Sequence, residues 1–300
     1  MAKRMSFSIQ RRQVLVGAIA LGATQIGRLS AAVPKDRKKK KITVSSSREL
    51  YEAIGSDREI SLEPGLYDLG ALSEEEDLTS NNVRFEKVFD GMEAVIYNVK
   101  NLTLVGASDL SAKIYARPRY ADVLPLVDSR NVTINSIELG HWPDRGYCNG
   151  AVVQLTDCDR ITVKDSVLFG SGTYGISAVR ASTLRCEDTK IHDCTYGILS
   201  LRECADLRFK RCQMVDNQEF FGVSASQVRR LTFDSCAFED NAFKDELFSV
   251  RDSEPITLKK CTVSRNVSSG LINESAMLKL ERTEFSNNTF PTPYSSDGVS

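Results

Sequence analysis

The chain has little of what metal and imidazole chemistry require: in 300 residues there are two histidines, His141 and His192, and no short-spaced Cys/His cluster of the zinc type. A zinc centre is therefore not expected. Net charge is also nearly absent, −1 from 39 basic and 40 acidic residues, so nothing at the level of the whole chain favours nucleic acid or anionic lipid as a partner. No long apolar run occurs after Ile26, and no transmembrane segment is expected in the mature chain. What remains is a composition with 41% hydrophobic and 26% charged residues, enough to build a sizeable core.

The amino terminus differs from the rest. Lys3, Arg4, Arg11 and Arg12 precede an apolar run from Val14 to Ile26, followed by Ser30-Ala31-Ala32. The run is too short for a hydrocarbon core of ~30 Å but suits a signal peptide, and the small residues form a cleavage site. Residues 1–32 are thus expected to be a signal peptide, which puts the mature protein in the bacterial periplasm or outside the cell. Gln10-Arg11-Arg12-Gln13-Val14-Leu15 resembles a twin-arginine signal without its usual Phe and following Lys, so twin-arginine and general secretory export both stay open. Residues 33–41 read as a basic linker, 42–290 as the folded domain and 291–300 as a polar tail.

Periodicity decides the fold class. Ile161, Leu184, Leu207, Leu231, Ile256 and Leu278 follow one another at 23, 23, 24, 25 and 22 residues, each opening an apolar-polar-apolar strand. Seven positions after each start comes a second apolar column, Leu168, Ile191, Met214, Phe238, Val263 and Phe285. Ten positions after the last four starts stand Asn217, Asn241, Asn266 and Asn288, as expected if amides stack between coils ~4.8 Å apart and occupy a left-handed corner. A third segment recurs as Tyr174-Gly175-Ile176, Tyr196-Gly197-Ile198 and Phe221-Gly222-Val223. Three short strands per turn predict an all-β solenoid, a right-handed parallel β-helix. The Asn comes too late in the repeat, and the second arc is too poor in leucine, for a leucine-rich repeat.

Two earlier starts, Leu102 and Val132, have longer spacings, so Pro118–Ala121 and Trp142–Asn149 are expected to leave the coil as loops. The segment Ser47 to Ile54 reads as a short N-terminal capping helix, with Ser47 in the capping position.

The opening Ile42-Thr43-Val44, the capping segment and Ile60-Ser61-Leu62-Glu63-Pro64-Gly65-Leu66-Tyr67 resemble the start of the pectate-lyase-like β-helix superfamily. The block from Tyr120 to Ile198 is similar to bacterial β-helix repeat proteins of unassigned activity. The resemblance implies a polysaccharide as partner, possible lyase-like chemistry on an acidic polymer, and calcium as the cofactor such chemistry uses. Candidate catalytic residues are Arg117 and Arg119, two apart in an extended segment and so placed to clamp a carboxylate, with His141. Trp142, Tyr147, Tyr174 and Tyr196 are candidate sugar-stacking residues, the last two forming an aromatic ladder if they occupy one position of adjacent turns. No metal ligand set is legible.

The alternative is a non-catalytic envelope or surface scaffold that binds a partner. It is favoured by the outward column Asn135, Lys164, Glu187, Lys210, Asp234, Lys259 and Glu281, which predicts a ladder of ion pairs. Of eight cysteines, Cys158 and Cys204 lie two turns apart, too far to bridge. Cys212, Cys236 and Cys261 form a column with room for at most one disulfide, and most are expected to serve as small buried hydrophobes.

Overall fold

A computed structural model describes residues 38–75, 77–142, 150–170 and 173–291. The expected signal peptide, most of the linker and nearly all of the tail lie outside the described residues.

The three columns fold as three sheets wrapped into one coil, parallel except for one antiparallel edge pair in the third, and right-handed as parallel crossovers are. The first sheet has ten strands, the second nine and the third eight. Every strand start read from the sequence holds its register: Leu102 pairs with Val132, Val132 with Ile161, Ile161 with Leu184, Leu207 with Leu231 and Ile256 with Leu278. The second column does the same from Leu168 to Phe285. Alternation sends these side chains inward, where all but the last are buried.

The asparagine ladder forms, with one difference. Asn217 Nδ2 donates to Asn241 Oδ1 at 3.0 Å, Asn241 to Asn266 at 2.8 Å and Asn266 to Asn288 at 2.9 Å. Each amide also bonds the preceding coil's backbone, as Asn241 Nδ2 does to Met214 O. The left-handed backbone is taken not by the asparagine but by the residue before it: Asp216, Asp240, Arg265 and Asn287 have φ of 56°, 54°, 57° and 54°. The turn is made one step early so that the amide can point into the coil and satisfy buried backbone groups.

The third sheet corrects a register. Tyr174 pairs with Gly197, and Ile176 with Leu199. The two Tyr-Gly-Ile copies are therefore offset by one residue, because stacking follows the count of residues from the first strand and not tripeptide identity.

Seven cysteines are described, all free and buried. Six of these thiols donate to backbone carbonyls, as Cys261 does to Phe233 O at 3.4 Å, and burial pushes the Cys158 thiol up to about 11. The column of alternating charges is in register, yet among its members the recorded ion pair is Lys259–Glu281 at 4.0 Å, while Asp234 turns to Arg208 at 2.6 Å. Tight pairing sits at the corners instead. Arg180 grips Asp157 with two bonds of 2.6 Å, and Arg265 grips Asp240 with two of 2.7 Å. All four residues have positive φ, so the forked pairs tie left-handed corners of successive coils together.

The upper end is closed. The helix Ser47–Ala53 buries Leu50, Tyr51 and Ala53, and its cap is Ser46, whose side chain accepts from Glu49 N. Ser47 instead accepts from Asp68 N at 2.9 Å. The first strand, Lys40–Val44, begins inside the expected linker, with Lys41 paired to Glu59 at 3.0 Å. An antiparallel hairpin, Val83–Val88 with Gly91–Tyr97, was not legible in the repeat; Phe85 stacks on Tyr51 at 5.6 Å, so it covers the helix.

Candidate functional site

The second sheet carries the candidate site on its outer face. Its upper strands are Ala112–Ala116, Glu138–His141, Val167–Phe169 and Lys190–His192. Ile114, Leu139, Leu168 and Ile191 point inward, so the next residue of each strand, Tyr115, Gly140, Phe169 and His192, faces out in one column.

Glycine at 140 makes the column continuous. A Cβ there would fall on the Phe169 ring. Without it, the rings of Tyr115 and Phe169 meet edge to face across two coils, centroids 5.4 Å apart. Phe169 then stacks on His192 at 5.7 Å, and Trp142 leans on Tyr115 at 5.6 Å. Four rings thus form one shelf spanning about 14 Å along the coil axis, three strand spacings. Trp142 is 42% exposed, and its backbone N–H donates to Ala116 O at 2.9 Å; the other three are half-buried.

Polar groups fix the shelf. Tyr115 donates its hydroxyl to Glu138 Oε1, which also accepts from Lys113 Nζ at 3.0 Å. Burial, and then the Glu138 carboxylate, hold the Tyr115 phenol well above its ordinary range. His192 Nδ1 donates to Asp193 Oδ2 at 2.7 Å. Beside the shelf runs a groove of about 300 Å³, lined by Asp165, Asp188, Lys190, Arg211 and Gln213 together with Ser108 and Leu110.

The residues singled out from the sequence are distributed differently. Arg117 and Arg119 have separate surroundings: Arg117 pairs with Asp68 at 3.1 Å beside a second cavity, whereas Arg119 lies within electrostatic reach of His141. His141 points into the coil, 4% exposed. Its Nε2 donates to Ala121 O at 2.6 Å, which leaves Nδ1 as a lone pair with no hydrogen-bond partner among the described residues. Burial first, and Arg119 in addition, lower its pKa, so the ring is neutral at pH 7. Trp142 belongs to the shelf. Tyr147 lies outside the described residues. Tyr174 opens a third-sheet strand, half-buried, and Tyr196 packs on Phe220 at 4.9 Å rather than on Tyr174. Tyr115, Phe169 and His192 were missed, although Gly140, Phe169 and His192 each stand eight positions after a strand start and the repeat alone could have aligned them.

Around His141, four successive residues of the connection between Tyr115 and Leu124 are held by acidic or imidazole side chains. Asp90 accepts from Arg119 N at 2.7 Å and Tyr120 N at 3.1 Å, His141 bonds Ala121 O, and Glu93 accepts from Asp122 N at 2.8 Å. Asp122 in turn accepts from Ala151 N at 2.7 Å. Burial, with Glu93 nearby, pushes its carboxyl up to about 7.

Among the described residues, no three His, Cys, Asp or Glu side chains gather as metal ligands, so the calcium implied by the resemblance finds no such set. No helix there is long and apolar enough to cross a membrane.

A model of the right-handed β-helix region matches residues 126–290, more than half of the chain. The chain belongs to the right-handed β-helix family. No curated protein matches it. Among solved structures, it is similar to pectate lyase Pel9A at 11% identity, covering 87% of this chain and 83% of that one with a TM-score of 0.48. It is also similar to a pectate lyase variant from Xanthomonas campestris (14% identity, 89% and 84% covered, TM-score 0.39). A third is an alginate lyase from Paenibacillus sp. (11% identity, 83% and 97% covered, TM-score 0.33). Within this β-helix protein the family match includes Gly140, Phe169 and His192 of the shelf and begins after Tyr115.

Proposed function

We propose that this β-helix protein is exported and binds a polysaccharide along the outer face of its second sheet, the polymer running parallel to the coil axis. The observation that supports this is the shelf of Trp142, Tyr115, Phe169 and His192, kept continuous by Gly140. A pyranose ring has an apolar face that stacks on aromatic rings, and its hydroxyls need donors and acceptors beside that face. The adjoining groove supplies both, and Asp165 and Lys190 in it hold no ion pair among the described residues. In this reading Arg117 and His141 do structural work, one tying the loop to Asp68 and the other supporting Ala121 from inside.

The test is calorimetric titration of the mature protein, from Val33, with homogalacturonan, alginate and hyaluronan oligosaccharides in the presence of calcium. Saturable binding to one class is expected, weakened about tenfold in Trp142→Ala, equivalent to ~1.4 kcal/mol, with thermal stability unchanged. Silence across the panel would contradict the reading and favour the surface-scaffold alternative.

A further inference from the structure

The most exposed large apolar side chain in the described structure is Phe89, at 86%. It sits in the two-residue turn of the hairpin, against Tyr120, 37% exposed, with centroids 5.0 Å apart and the ring planes at 51°. A bare phenylalanine at a hairpin tip is costly to keep in water, and a free hairpin tip would not hold it in place.

This tip is held. Asp90, next to Phe89, accepts the backbone N–H groups of Arg119 and Tyr120, and Gly91 packs on Pro118 so closely that a Cβ would lie 2.6 Å from its ring. On the other side the connection is fixed by His141 through Ala121 and by Glu93 through Asp122. Two exposed rings are thus set in a fixed angle by a network that buries neither, and such preorganisation lowers the entropy cost of binding.

The patch is small. Two aromatic side chains supply a few hundred Å² at most, whereas a stable protein interface needs ~800 Å² from each partner. A sugar ring, by contrast, needs only one open aromatic face, and Phe89 presents one with Tyr120 packed beside it. The patch is within reach of the shelf: Ala116 O accepts the Trp142 backbone N–H, and Tyr120 is four residues further, at most about 14 Å along the chain.

We propose that Phe89 and Tyr120 form a distal pyranose subsite, so that the ligand is a polymer long enough to reach from the shelf to the hairpin tip. This inference rests on the shelf being a glycan site, and the experiment separates the two. Disaccharides and octasaccharides of homogalacturonan, alginate and hyaluronan are titrated into wild type, Phe89→Ala and Trp142→Ala. Phe89 is exposed, so its truncation leaves folding intact, and unchanged thermal melting checks this.

The expected result is a loss of about tenfold in octasaccharide affinity in Phe89→Ala with disaccharide affinity unchanged, while Trp142→Ala weakens both. Octasaccharide affinity that falls in Trp142→Ala but not in Phe89→Ala overturns the distal subsite, leaves the shelf standing and turns Phe89 toward a protein contact. Absence of glycan binding in the wild type overturns both.

Discussion

The upper and lower turns of the coil use aromatic residues in opposite ways. In the lower turns they are inside: Phe209 stacks on Phe233 at 5.0 Å, and Phe233 and Phe248 each meet Phe238 edge to face at 5.2 Å, all fully buried. The asparagine ladder and the Cys212–Cys236–Cys261 column occupy the same turns. In the upper turns the core is aliphatic apart from Tyr67 and the Tyr51 of the capping helix, and further rings lie outside, on the shelf and at the hairpin tip. Regularity serves stability where every coil repeats the last, and the proposed recognition surface sits where insertions and a missing Cβ interrupt it.

If that division is right, the largest stability loss comes from below. Phe233→Ala should cost about 3–5 kcal/mol by opening a cavity among three rings, read as a lower urea midpoint. Asn241→Ala should follow at about 2–3 kcal/mol, because the Asn217 backbone N–H and the Met214 carbonyl lose their partners inside the coil. Neither should alter the shelf. Gly140→Ala in the upper turns should cost less, about 1–2 kcal/mol from displacing the Phe169 ring, yet should lower glycan affinity.

A pH dependence distinguishes the upper turns as well. The folded Asp122 carboxyl titrates near 7, above the ordinary value of 3.8, so the native state keeps a proton that the unfolded chain releases. Its contribution is fully present below the ordinary value and is lost as pH rises through about 7. Urea midpoints should therefore fall between pH 5 and pH 8 in the wild type and fall less in Asp122→Asn, whose amide oxygen still accepts from Ala151 N. The smallest effect is expected at the corners. Arg265→Gln removes an exposed forked pair and should cost less than about 1 kcal/mol.

The coil was legible because its cause is periodic. A strand start such as Ile161 is fixed by an inward apolar pattern that recurs in every turn, and the sequence records it directly. The third-sheet offset at Tyr196 was not legible from motif matching, since hydrogen bonding counts backbone residues and Gly197 stands 13 positions after Leu184, as Tyr174 does after Ile161. The hairpin was hidden from the repeat because it lies ahead of Leu102, outside the coil-to-coil spacing; the local signal for it was Asp90-Gly91, a turn dipeptide after the alternating Val83-Arg84-Phe85-Glu86. The same holds for the site. Trp142 stood out as the one tryptophan, but Phe169 and His192 looked like ordinary outward residues until Gly140 placed them in ring contact.

That single tryptophan offers the most direct test of the shelf, because all indole fluorescence from the protein reports on Trp142. Titrating the mature wild-type protein with the oligosaccharide class it binds should shift the emission to shorter wavelength along a saturable curve, with the same midpoint as calorimetry. Glycan binding by calorimetry with the Trp142 emission unmoved would place the ligand elsewhere on the coil and contradict the account.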